Sequence, residues 1–214
     1  MVLRVDLVLK GGVWALGLSP VLWAGIKLTL GDLGANPVEA LMHVAGRWTL
    51  VFLLLGLSVT PLRRLTGWGR IIKVRRLLGL FAFFYASVHF LVYLGVDQGF
   101  AWSYIVEDVL ERPFITVGFG AFLLLVPLAL TSTRGWIRRL GKRWQKLHRL
   151  VYLAAGLGVL HFYWKVKADT FWPLVAVGIL GLLFALRLPR LSFRVPGFVM
   201  DGTAESSAPT AEEA

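Results

Sequence analysis

The sequence predicts an all-α membrane protein, a helix bundle with about six transmembrane spans and both termini cytoplasmic. Three observations predict it. First, 57% of the 214 residues are hydrophobic and 16% are charged, with a mean hydropathy of +0.71, whereas soluble domains run to about a quarter charged. Second, the apolar residues gather into runs of about 20, the length that crosses a bilayer core. Third, the basic residues cluster in alternate connections between those runs, as the positive-inside rule requires.

The runs fall at 11–30, 45–62, 77–96, 114–132, 148–166 and 172–188. Arg4 and Lys10 precede the first run in the manner of a signal peptide. No small-residue cleavage site follows, so this segment reads as an uncleaved first span. Pro20, Pro61, Pro113, Pro127 and Pro173 lie inside or at the ends of the runs. Lipid-embedded helices accept proline when neighbours satisfy the freed carbonyls. The connection 62–76 carries six Lys/Arg and 134–149 carries seven, while 31–43 has none and 96–112 has one Arg among four acids. This pattern places the two basic connections in the cytoplasm.

Residues 1–200 read as one transmembrane domain. Residues 201–214, "DGTAESSAPTAEEA", are small, polar and acidic, which predicts a disordered tail. No internal repeat, dinucleotide fingerprint or phosphate loop is evident. The net charge of +11 does not indicate nucleic acid, because the cations sit in short clusters between apolar runs. They read as topology signals and contacts to anionic lipid. There are no cysteines. Disulfides, thiol catalysis, cysteine-ligated clusters and covalently attached c-type haem are thereby excluded.

Ionisable side chains at membrane depth are costly, so intramembrane histidines are the first functional candidates. At about 1.5 Å per residue, His89 lies roughly 20 Å into the third run and His161 roughly 22 Å into the fifth. The two runs point the same way, so the imidazoles share one level towards the periplasmic side. Two neutral imidazoles facing each other suit six-coordinate haem iron. Zinc fits less well, since it takes four ligands. A proton relay usually recruits intramembrane Asp or Glu, and these are missing from the centres of the runs. His148 stands 13 residues before His161, about 20 Å along the axis, so the two cannot share one metal. His43 lies at the periplasmic mouth of the second run, four residues before Arg47. It reads as an interfacial polar residue or, with Arg47, as a propionate or quinone contact. Arg112 is another candidate propionate partner, or a flanking anchor.

The segments "RRLLGLFAFFYASVHFLVY" (75–93), "TSTRGWIRRLGKRWQKLHRLVYL" (131–153) and "HFYW" (161–164) resemble the MsrQ (YedZ) family, as does "HVAGRWTLVFLLLGLSVTPLRR" (43–64). That family belongs to the ferric-reductase-like transmembrane proteins. The resemblance implies haem b, one or two per chain, with FMN also ascribed to the family. It implies His89, His148 and His161 as ligands to haem iron. It further implies an inner-membrane electron-transfer subunit, supplied by the quinone pool or a flavin reductase. The recipient would be MsrP, a periplasmic molybdopterin enzyme that reduces methionine sulfoxide in oxidised proteins, so substrate chemistry is expected on the partner subunit. Two-haem members of the superfamily carry a second histidine on the third span, where this chain has Arg75 and Arg76. Long members carry a nicotinamide and flavin domain, for which these 214 residues have no room. The alternatives are a short ferric or cupric reductase, and a haem-free transporter or scaffold.

Overall fold

The computed structural model of the chain describes residues 2–166 and 168–188. The acidic tail 201–214 lies outside the described residues. All six predicted runs are helical: α1 (Val2–Thr29), α2 (Pro37–Thr66), α3 (Arg75–Leu91), α5 (Pro113–Leu130), α8 (Leu150–Lys165) and α9 (Phe171–Ala185). A wider π turn, Val92–Asp97, prolongs α3. No strand occurs among the described residues. Four segments are long and apolar enough to cross a membrane: Val5–Thr29, Pro37–Thr66, Gly69–Asp97 and Pro113–Leu130. Helices α8 and α9 have 16 and 15 residues, roughly 22–24 Å at the α-helical rise. The chain is an all-α membrane helix bundle.

The connections hold more structure than their composition suggests. A 3₁₀ helix, Gly69–Val74, leads into α3. A surface helix α4 (Trp102–Glu111) precedes α5. The basic connection before α8 folds into α6 (Arg134–Leu140) and α7 (Lys142–Leu147). Helix α2 starts at Asn36, whose side chain accepts from the Glu39 amide, with Pro37 in the first turn. Together these supply an N-cap and a pre-set φ.

The interior prolines show how a membrane helix tolerates lost donors. Pro61 has no N–H for the Leu57 carbonyl one turn back. The Arg187 guanidinium, just past α9, donates to that carbonyl instead. Pro20 likewise deprives Leu16, whose carbonyl accepts from Ser19 Oγ at 3.2 Å. Beside it, the Tyr85 hydroxyl enters the α1 ladder. It donates to Gly17 O at 2.6 Å and accepts from Val21 N at 3.2 Å. A side chain inserted into the ladder next to a proline is an identifiable cause of a helix bend.

Helix α2 lies along α3, and α5 along α8; these are the two most extensive pairings. Ala82 on α3 and Ala154 and Ala155 on α8 are fully buried. Small residues of this kind let helices approach closely in a bilayer, where apolar burial alone gives little drive. Phe52 stacks on Phe81 and Tyr85 at 5.3 and 5.7 Å, tying α2 to α3. The outer faces of the helices expose Trp14, Trp23, Leu123 and Leu182, which suits a lipid environment. Among the described residues no charged side chain is buried.

Candidate metal centre

The two helix pairs each deliver one imidazole to the bundle interior. Helix α3 carries His89, whose Nδ1 lies 2.9 Å from the Met42 carbonyl of α2. Helix α8 carries His161, whose Nδ1 lies 2.7 Å from the Phe114 carbonyl of α5. A carbonyl only accepts, so each Nδ1 is the N–H donor and each Nε2 keeps its lone pair in the neutral ring. Metal-ligating histidines are held in this way, with the other ring nitrogen donating to a carbonyl or carboxylate.

Each imidazole reaches its carbonyl across a glycine. The residue four positions along a helix lies above the carbonyl, on the same face. Those residues are Gly46 on α2 and Gly118 on α5. A Cβ at Gly46 would stand 3.2 Å from His89 Nδ1, and one at Gly118 would stand 2.6 Å from His161 Nδ1.

The His89 and His161 ring centroids are 6.1 Å apart and the planes are inclined at 79°. Metal–imidazole bonds of about 2.0–2.1 Å put two rings on opposite sides of one metal roughly 6 Å apart, centroid to centroid. The observed spacing matches. Aromatic rings wall the same level: Phe114 faces His161 at 6.1 Å, and Phe90 stacks on Phe122 at 4.7 Å. The arrangement suits a metal held by two neutral nitrogens in apolar surroundings, the donor set of a six-coordinate haem. No group of three or more His, Asp or Glu converges as a metal site among the described residues, so the zinc alternative gains nothing.

The family model for the ferric reductase like transmembrane component matches residues 43–159. The protein-methionine-sulfoxide reductase heme-binding subunit MsrQ of Rhodospirillum rubrum is 57% identical over 172 residues, 80% of this chain and 83% of the relative. The protein of the same name from Xanthomonas campestris pv. campestris is 52% identical over 207 residues, 94% of this chain and 92% of the relative. The chain belongs to the MsrQ family. No solved structure matches it.

In this MsrQ-family chain the other candidate residues occupy separate places. His148 caps the C-terminus of α7, just before α8, at the basic end of the bundle. Its ring stacks on Trp144 at 3.9 Å, and its Nδ1 lies 3.1 Å from the Trp144 carbonyl. Trp144 in turn donates from its indole to the Thr131 carbonyl at 3.0 Å, using an orphan acceptor at the α5 C-terminus. His148 Nε2 is buried with no partner among the described residues. An orphaned buried nitrogen is costly.

His43 does not join the histidine pair. It is exposed at the mouth of α2, where its Nε2 lies 3.2 Å from Lys165 Nζ and 3.7 Å from Glu39. Lys165 also pairs with Glu39 at 3.5 Å, which ties α2 to the end of α8. Arg47, one turn deeper on α2, is exposed as well. Arg112 pairs with Asp108 at 3.1 Å, and Asp108 also accepts from the Tyr93 hydroxyl at 3.2 Å.

Motif and periodicity reasoning missed the Met42 and Phe114 carbonyls and the two glycines over them. It also found no internal repeat. The two seats do share a spacing: each histidine lies 47 residues after its carbonyl partner, and adding 72 to 42, 46 and 89 gives 114, 118 and 161. The same shift takes buried Ala82 to buried Ala154, and Arg76 to His148. It was hard to see because few positions agree beyond small and apolar ones, which any two membrane helices share.

Proposed function

We propose that this chain is a haem b electron-transfer subunit of the inner membrane. It passes electrons from the quinone pool, or from a reduced flavin donor, to a periplasmic molybdopterin methionine sulfoxide reductase, MsrP. The single observation that carries the proposal is the His89–His161 pair, with ring centroids 6.1 Å apart and each Nδ1 tied to a carbonyl. The relatives' shared name, a heme-binding subunit of a methionine sulfoxide reductase, supplies the partner.

His89 and His161 would hold the iron through Nε2, while the Met42 and Phe114 carbonyls fix the tautomer and the orientation of both rings. Bound there, haem supplies a one-electron couple, tuned by its axial ligands and by the polarity around it. The protein contributes a dry aromatic wall and a fixed spacing, so little has to rearrange when charge changes. Helix α4 and the short connection before α2 form the end nearest this pair, which leaves an outer surface for the reductase. The basic end, with His148, receives electrons from quinol or from a flavin such as FMN. The buried, unpartnered His148 Nε2 is what supports a second haem there.

The test uses membranes that contain the chain with its haem reduced. Addition of MsrP together with a methionine sulfoxide substrate should reoxidise the haem rapidly. Neither addition alone should sustain turnover. The family model's ferric reductase description gives the competing reading. Ferric chelates that reoxidised the haem far faster than loaded MsrP would establish a metal reductase in its place.

A further inference from the structure

The two imidazole seats are one device built twice. In each, a histidine on one helix lies against a glycine of the paired helix and bonds the carbonyl four residues before that glycine. Most glycines of the bundle do no such work. Gly79 on α3 and Gly156 on α8 have nothing within 4 Å of an added Cβ. Gly120, on the same helix as Gly118, would meet only Leu157 Cδ1 at 3.9 Å, an ordinary contact.

We propose that Gly46 and Gly118 are positioning residues that set the crossed orientation of the two axial imidazoles. This rests on the haem ligation by His89 and His161 proposed above. An imidazole bound to iron can still turn about the metal–nitrogen bond, because that bond alone fixes no ring plane. Here the Nδ1–H bond to a helix carbonyl fixes the plane, and it forms only because the ring can lie directly on the helix backbone. The two seats are on different helices, so the planes end up 79° apart. Crossed planes leave the iron orbitals that overlap the two rings nearly equal in energy, whereas parallel planes split them. In low-spin ferric haem the crossed case gives a strongly anisotropic electron paramagnetic resonance signal with a large maximal g value. The parallel case gives an ordinary rhombic signal. The glycines therefore have a readout distinct from stability.

An alanine at 118 places its Cβ 2.6 Å from His161 Nδ1, closer than real contacts allow, while one at 46 leaves 3.2 Å and needs a small shift. Purified haem-loaded Gly118→Ala should lose the large-g signal, with a rhombic low-spin or a high-spin signal in its place, and its midpoint potential should move. Gly46→Ala should move the signal in the same direction by less. Gly79→Ala and Gly120→Ala should match the parent in signal, haem content and potential. If Gly118→Ala does not accumulate, Gly46→Ala carries the test. Parent-like signals and potentials in the variants obtained at positions 46 and 118 would overturn the proposal. So would an equal shift in Gly120→Ala, which would reduce the effect to general helix packing. The ligand assignment is tested separately with His89→Ala and His161→Ala. If these kept the parent's low-spin signal, the haem reading itself would fail, whatever the glycine variants did.

Discussion

A histidine's second nitrogen governs what the first can do. At His89 and His161 the carbonyls of Met42 and Phe114 hold the Nδ1 proton, so Nε2 is left as a neutral donor. At His148 the Trp144 carbonyl does the same, and Nε2 is buried and unpartnered. All three rings therefore have Nδ1 tied to a carbonyl, but they stand at two ends of the bundle. His89→Ala or His161→Ala should remove nearly all of the low-spin absorption of the haem proposed between them, since one imidazole cannot keep iron six-coordinate. His148→Ala should leave that absorption in place and affect only a separate component, or the rate of reduction by the donor. Absorption spectra with haem-to-protein ratios check both outcomes. Retention of the parent spectrum in both the His89 and His161 variants would reject the pair.

Helix pairing depends on how each element repairs its own irregularities. Pro61 leaves the Leu57 carbonyl without its intrahelical partner, and Arg187 both donates to it and bonds the Tyr152 hydroxyl. The guanidinium also lies over the Tyr152 ring, 4.9 Å from its centroid. One side chain thus fastens the end of α9 to α2 and α8. Arg187→Met should destabilise the protein by about 1–3 kcal/mol, the cost of leaving a shielded carbonyl unsatisfied. In a Pro61→Ala background position 61 regains its N–H, so the same substitution should cost less there. A double-mutant cycle of unfolding in detergent measures the difference. Equal costs in the two backgrounds would show that Arg187 acts only through Tyr152.

At the scale of the whole molecule, orientation is set by thirteen cations in connections 62–76 and 134–149 against one in 31–43 and 96–112. With the basic end cytoplasmic, as the positive-inside rule predicts, the His89–His161 pair would lie towards the periplasm. Fusions at Leu33 and Ser103 should be active only with a reporter that works outside the cytoplasm. Cytoplasmic activity at either point would invert the topology and place the pair at the inner face. The ion pair of Asp6 with Lys73, and that of Lys165 with Glu39, join elements that are not neighbours in the chain, at opposite ends of the bundle. Both are surface contacts, so they register the helices more than they stabilise them.

The sequence by itself determined the fold class, the positions of the six helical runs and the shared level of His89 and His161. Each follows from local physics: apolar length, charge bias and rise per residue act without knowledge of neighbours. The same physics reads any connection as loop, so α4, α6 and α7 did not stand out among the polar residues. Helix pairing and azimuth were beyond it, because a helix apolar on every side gives no sign of which face meets a partner. Only the tertiary structure decided that α2 lies along α3 and α5 along α8. That pairing sets Gly46 under one imidazole and Gly118 under the other. It also turned His43 away to Glu39 and Lys165. The backbone carbonyls that fix the rings carry no mark in the sequence, since every residue has one and only packing selects which is reached.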